Sequence, residues 1–75
     1  MRLICEIARD ILAEWKNPNV YAMAYLKPML QLRSINDTYG LDDARSIVLY
    51  FLSNASGFRG SNAKLLKSEL KLLLA

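Results

Sequence analysis

The chain has 75 residues, 53% of them hydrophobic, and ten Lys/Arg against seven Asp/Glu give it a net charge of +3. This is one domain at most, spanning 1–75. Its apolar content excludes intrinsic disorder, and no apolar run approaches the ~20 residues of a membrane span. There is no histidine and a single cysteine, Cys5, so an internal disulfide is excluded and the commonest general base is missing.

Such a short chain buries only about 60–65% of the surface its unfolded form exposes. A monomer is therefore expected to be stable by roughly 3–5 kcal/mol, with apolar side chains left over for a partner. The lone cysteine favours a reducing cytoplasm. Glu6, Arg9 and Asp10 come too early for a signal peptide.

The first helix is predicted over Leu3–Trp15. At about 100° per residue, Ile4, Ile7, Ala8, Ile11, Leu12 and Trp15 share one face, with Arg2, Glu6, Arg9, Asp10 and Ala13 opposite. Glu6 and Asp10 are like charges one turn apart, which Arg2 and Arg9 can relieve. Lys16-Asn17-Pro18-Asn19 ends this helix, with Asn17 as the expected cap of the next and Pro18 in its first turn.

The second helix is predicted from Pro18 or Val20 to Leu32, burying Ala22, Met23, Leu26, Met29 and Leu30. Pro28 lies inside it and should kink or break it, since the ring removes a hydrogen bond and crowds the Ala24 carbonyl. Ser34 and Asp37 resemble a capping box for a short helical turn over Ile35–Tyr39, ended by Gly40.

The third helix is predicted from an Asp42 cap to about Ala55. Ala44, Ile47, Val48, Phe51, Leu52 and Ala55 form an apolar arc wide enough for a central helix. Gly57 should end it, and Phe58 should fold back. Arg45 is expected to pair with Asp42 or a neighbouring helix. Asn54 is expected to need partners in the Ser56–Gly60 loop, with Asn54→Ala costing ~1–3 kcal/mol if its groups are buried. The fourth helix is predicted over Ser61–Leu74, its core face formed by Ala63, Leu66, Leu70, Leu73 and Leu74. The fold class is thus all-α: a compact bundle of four helices, helix 3 central, helix 2 kinked or broken near Pro28.

The chemistry-bearing residues are sparse. Glu6, Asp10 and Glu14 lie on a predicted solvent face, whereas a carboxylate pair does acid–base work only in a pocket that perturbs it. Asp42-Asp43 reads as a helix start, because two carboxylates without further oxygen ligands hold Mg²⁺ or Ca²⁺ poorly. Cys5 reads as a small buried hydrophobe with no base to activate it. No enzyme activity, cofactor, metal or small-molecule substrate is expected.

Two surfaces remain. Tyr21, Tyr25, Leu65 and Leu72 lie off the main buried stripes, together with Leu32, and Tyr is enriched in contact surfaces. Arg59, Lys64, Lys67 and Lys71, with Ser61 and Asn62 at the helix start, could meet phosphates. Helices 3 and 4 would then form a loose helix-turn-helix, although the connection is long and the helix offers Lys in place of base-reading Arg, Asn or Gln. Solubilisation by a mixed charged surface is the ordinary use of such lysines.

The segments Tyr39-Gly40-Leu41-Asp42, Arg45-Ser46-Ile47-Val48-Leu49-Tyr50-Phe51-Leu52-Ser53-Asn54-Ala55 and Arg59-Gly60 resemble small proteins of undefined activity encoded by bacteriophages and prophages. The resemblance implies a compact accessory protein of the bacterial cytoplasm that binds a host or phage macromolecule. The leading expectation is a non-catalytic protein–protein interaction module, its partner a host or phage protein or a second copy of itself. The alternative is a small nucleic-acid-binding protein using the basic face of the last helix.

Overall fold

A computed structural model of the chain describes residues 2–75. Four helices, α1 (Ile4–Glu14), α2 (Val20–Met29), α3 (Ala44–Ser53) and α4 (Ser61–Leu74), are joined by loops and by one short hairpin, β1 (Thr38–Tyr39) and β2 (Asp42–Asp43), between α2 and α3. The Cα radius of gyration is 11.0 Å, close to the ~11 Å of a well-packed chain of this length. The helices pack most extensively as two pairs, α2 on α3 and α1 on α4.

The N-terminus of α1 is capped from a distance. Leu3 has no side-chain oxygen to offer, and the Glu6 carboxylate accepts from the Leu3 amide at 2.8 Å. The amides of Ile4 and Cys5 donate to the carbonyls of Arg33 (3.0 Å) and Leu32 (2.9 Å), so the segment after α2 satisfies donors that a helix start leaves open. This docking buries Leu32, which the helical wheel had placed off the buried stripe.

The cap of α2 is Asn19 rather than Asn17, its side chain accepting from the Ala22 amide at 2.8 Å. The same side chain donates to the Asn54 carbonyl at 2.9 Å, tying the start of α2 to the end of α3. Helix α2 stops at Met29, one residue past Pro28, and tight turns follow, with the Gln31 and Leu32 amides donating to Pro28 and Met29.

The expected helical turn over Ile35–Tyr39 is replaced by a single turn and the hairpin, so the fold is mostly helical but not purely all-α. The Asp37 carboxylate accepts from the Ser34 (3.1 Å) and Arg33 (2.9 Å) amides, and the Ser34 hydroxyl accepts from Asn36. The chain then extends. Thr38 faces Asp43 and Tyr39 faces Asp42 in antiparallel register. Gly40, at φ +63°, occupies the first central position of the two-residue turn, where a type II′ hairpin requires positive φ. The hairpin moves the α3 cap from Asp42 to Asp43, whose side chain accepts from the Ser46 amide at 2.7 Å.

The core takes Ile4, Ile7, Ala8 and Ile11 from α1, Ala22, Leu26 and Met29 from α2, Ala44, Ile47, Val48 and Phe51 from α3, and Ala63, Leu66 and Leu70 from α4. Trp15, at the end of α1, closes it by stacking on Phe58 (5.1 Å between ring centroids) and meeting Phe51 edge-on (6.3 Å). Cys5 is buried. Asn54 bonds back to its own helix, its amide donating to the Tyr50 carbonyl at 2.8 Å, rather than to the Ser56–Gly60 loop. Arg45 reaches the neighbouring helix and donates to the Leu74 carbonyl at 2.6 Å.

Candidate functional site

The carboxylates of α1 are engaged in structure. Arg2 donates to Asp10 at 2.6 Å and to both oxygens of Glu69 at 2.9 and 2.6 Å. Glu14 accepts from the Asn62 side chain at 3.0 Å. These contacts bridge α1 and α4. The paired guanidinium holds the Glu69 carboxyl below the usual carboxylate range, and its own pKa is raised in return. Among the described residues no three His, Cys, Asp or Glu side chains gather in a way that could hold a metal ion.

The four apolar contact candidates do not converge. Leu65 lies along the α1–α4 groove beside Arg2, Asp10, Glu14 and Glu69. Leu72 borders a small cleft with Arg2, Ile7 and Leu73. Tyr25 lines neither. It lies on the opposite helix pair, its ring 5.5 Å from that of Tyr50 of α3.

Around that pair is a groove of about 380 Å³, lined by Ala24, Tyr25 and Pro28 of α2, Tyr39 and Asp42 of the hairpin, and Ser46, Ile47 and Tyr50 of α3. Its making is local. Helix α2 ends at Met29, one residue past Pro28. The Gly40 turn then returns the chain so that Tyr39 and Asp42 stand beside α3. Tyr39 and Tyr50 are exposed, at 46% and 55%, and Asp42 is the only charged lining residue. Tyr21 is 69% exposed and lies one turn along α2 from Tyr25, on the same face. Exposed Leu41 and Leu49 flank Asp42 and Tyr50 in sequence. Sequence reasoning named Tyr21 and Tyr25 as contact candidates but not Tyr39 and Asp42, which the hairpin brings to the groove, nor Tyr50 of α3.

The four predicted phosphate contacts do converge. Arg59, Lys64, Lys67 and Lys71 line one open cleft of about 340 Å³ with Phe58, Gly60 and Ser68, and no carboxylate lines it. Among the described residues the ion pairs are those of Arg2, so none of the four cations has a carboxylate partner. Lys67 lies over the Phe58 ring, 5.8 Å from its centroid. Partial burial, and then the charges of Lys71 and Arg59, hold its ammonium below the usual lysine pKa. Arg59 is steadied by a bond to the Ser56 carbonyl at 3.3 Å. The α3–α4 connection covers residues 54–60, longer than the three- or four-residue turn of a helix-turn-helix.

No protein-family model matches the chain, and no curated protein or solved structure matches it either. No helix among the described residues is long and apolar enough to cross a membrane.

Proposed function

We propose that the chain is a non-catalytic protein-interaction module that docks a partner through the tyrosine groove between α2, the hairpin and α3. One observation carries this reading. Three of the chain's four tyrosines line a single groove, and the fourth continues the strip along α2. Tyrosine offers a large, rigid, amphipathic contact at low entropic cost, and aromatic rings concentrate at the centres of interfaces. Asp42 adds one negative charge to an otherwise uncharged lining, and tyrosine faces attract cations. The groove therefore fits an extended segment of a partner protein that presents an Arg or Lys side chain beside apolar residues.

The non-catalytic part of the reading is supported by the occupation of the α1 carboxylates and the burial of Cys5. The finer architecture belongs to the same proposal: α3 is the central helix, and Pro28 is the break in α2 that opens the groove. The resemblance to bacteriophage-encoded proteins gives the setting, an accessory protein of the bacterial cytoplasm whose partner is a host or phage protein.

Selection of random displayed peptides on the immobilised protein tests this. Enriched peptides should carry Arg or Lys next to apolar residues. Binding should fall at least tenfold with Tyr50→Ala and severalfold with Asp42→Asn. Equal enrichment on the Tyr50→Ala variant would overturn the assignment, and self-association through the groove would appear as concentration-dependent sedimentation abolished by the same change.

A further inference from the structure

The basic cleft beside α4 is separate from the tyrosine groove and shares no lining residue with it. Four cations from one loop and one helix are held around it, with no carboxylate in the lining and no ion pair to any of them among the described residues. The opposite flank of the same helix shows that acidic residues are available in this chain to neutralise a cation, since Glu69 and Asp10 both bond Arg2. On the basic flank none does. Partial burial first, and then the nearby charges of Lys71 and Arg59, disfavour ionisation of Lys67, and a bound polyanion would relieve the second of these.

We propose that the cleft formed by Arg59, Lys64, Lys67 and Lys71 binds the phosphate backbone of nucleic acid without reading its bases. Lys64 and Lys71 are two turns apart on α4, about 10 Å at ~1.5 Å per residue. Measured along a duplex axis, where the phosphates of one strand rise by ~3.4 Å each, that length spans about three phosphates. Three of the four cations are lysines, compact point charges with no planar fork for a base edge. Phe58 is buried beneath Lys67 and offers no ring for stacking a base. The contacts are therefore of the positioning kind, which carry affinity and little sequence preference. An acidic polypeptide, an anionic membrane and a single free anion are the competing ligands. A regular row of like charges along a straight helix matches the evenly spaced phosphates of a strand better than it matches any of these.

The test is fluorescence anisotropy of a labelled 20-base-pair duplex of random sequence against the whole chain, over a salt series from 50 to 200 mM. Four phosphate contacts give a slope of log K against log salt of about −3.6, so affinity should fall about 100-fold across the series. With Lys64→Gln and Lys71→Gln together the fall should shrink to about tenfold. The Lys64→Arg, Lys71→Arg variant should restore the parent slope and report on folding, as should matching thermal melts. Several results would overturn the proposal: no binding at 50 mM, a slope unmoved by the Gln pair, or displacement of the duplex by polyglutamate or anionic vesicles at equal charge concentration. Competition by inorganic phosphate at low millimolar concentration would overturn it too, by showing a single-anion site. A failure here leaves peptide selection by the tyrosine groove untouched, because Tyr50→Ala should not alter duplex binding.

Discussion

The two flanks of α4 carry charge in opposite ways. Toward α1, Arg2 bridges Asp10 and Glu69, and Glu14 accepts from Asn62, so each charge there has a partner within the molecule. Away from α1, Arg59, Lys64, Lys67 and Lys71 share a cleft with no carboxylate in it. One helix thus presents charge as structure on one side and as available potential on the other. The comparison separates residues whose loss should be felt in folding from residues whose loss should be felt in binding.

The largest effect should come from removing what both flanks stand on. Leu70 is fully buried between them. Leu70→Ala should cost about 2–5 kcal/mol, the transfer of the side chain plus the cavity it leaves. Against a total of roughly 3–5 kcal/mol for a domain this small, that brings the chain to the edge of unfolding. Urea denaturation would show it, and an unchanged midpoint would mean that α4 does not pack on the core. Asn54→Ala is the control away from both flanks. Its amide bonds the Tyr50 carbonyl from a half-buried position, so the expected loss is about 1 kcal/mol, the net worth of one hydrogen bond. Because that carbonyl can turn to water, a loss above about 3 kcal/mol would contradict the assignment.

Much of this layout is legible in the sequence. Ile4, Ile7, Ala8 and Ile11, like Ala44, Ile47, Val48 and Phe51, repeat at helical spacing because each helix must bury one face. The basic cluster is legible for the same reason: Lys64, Lys67 and Lys71 lie on one stripe of one helix, and only Arg59 joins from outside. The tyrosine groove is not, because its residues come from three elements. A helical wheel places Tyr25 correctly on α2 but says nothing of Tyr39. The missed signal was Thr38-Tyr39-Gly40-Leu41, β-formers followed by glycine at the first position of a two-residue turn. Read as the end of a helical turn, Gly40 gave the right sign of φ and the wrong element. Leu32 failed differently. It lies beyond the true end of α2, where no helical period applies, and it is buried because its carbonyl caps α1.

Single charge changes sharpen the comparison at smaller amplitude, and the two flanks should respond with opposite sign. Arg2→Gln leaves Asp10 and Glu69 facing each other without a cation and should lower the melting temperature. Lys71→Gln removes a like charge from beside Lys67 and should leave the melting temperature unchanged or raise it. Both shifts should shrink in about 0.5 M salt, where screening acts over only a few ångströms. Calorimetric melts of the two variants at low and high salt would decide it, and shifts of the same sign in both would dissolve the distinction between the flanks.

The smallest effect is the pH dependence, where the flanks act at opposite ends of the scale. The Glu69 carboxyl is held below its ordinary value, first by the hydrogen bonds from Arg2. The stability it contributes is therefore present above the unfolded carboxylate pKa and is lost as pH falls through the lower folded value. Asp37 and Asp43 are lowered too, the first by the backbone amides of Ser34 and Arg33 and the second by that of Ser46, so they add to the same acid limb. At Lys67 it is the ionised form that folding disfavours. Burial and the charges of Lys71 and Arg59 depress its folded pKa. Between that value and the ordinary lysine pKa the unfolded chain binds the extra proton, and stability rises with pH. Urea midpoints from pH 2 to 11 should therefore climb through the acid range and climb slightly again on the alkaline side. Glu69→Gln should flatten part of the first rise, the aspartates keeping the rest, and Lys67→Met should remove the second. An alkaline rise that survives Lys67→Met would mean that its source is a group other than Lys67, and that the depressed Lys67 ammonium is not what couples the basic cleft to stability.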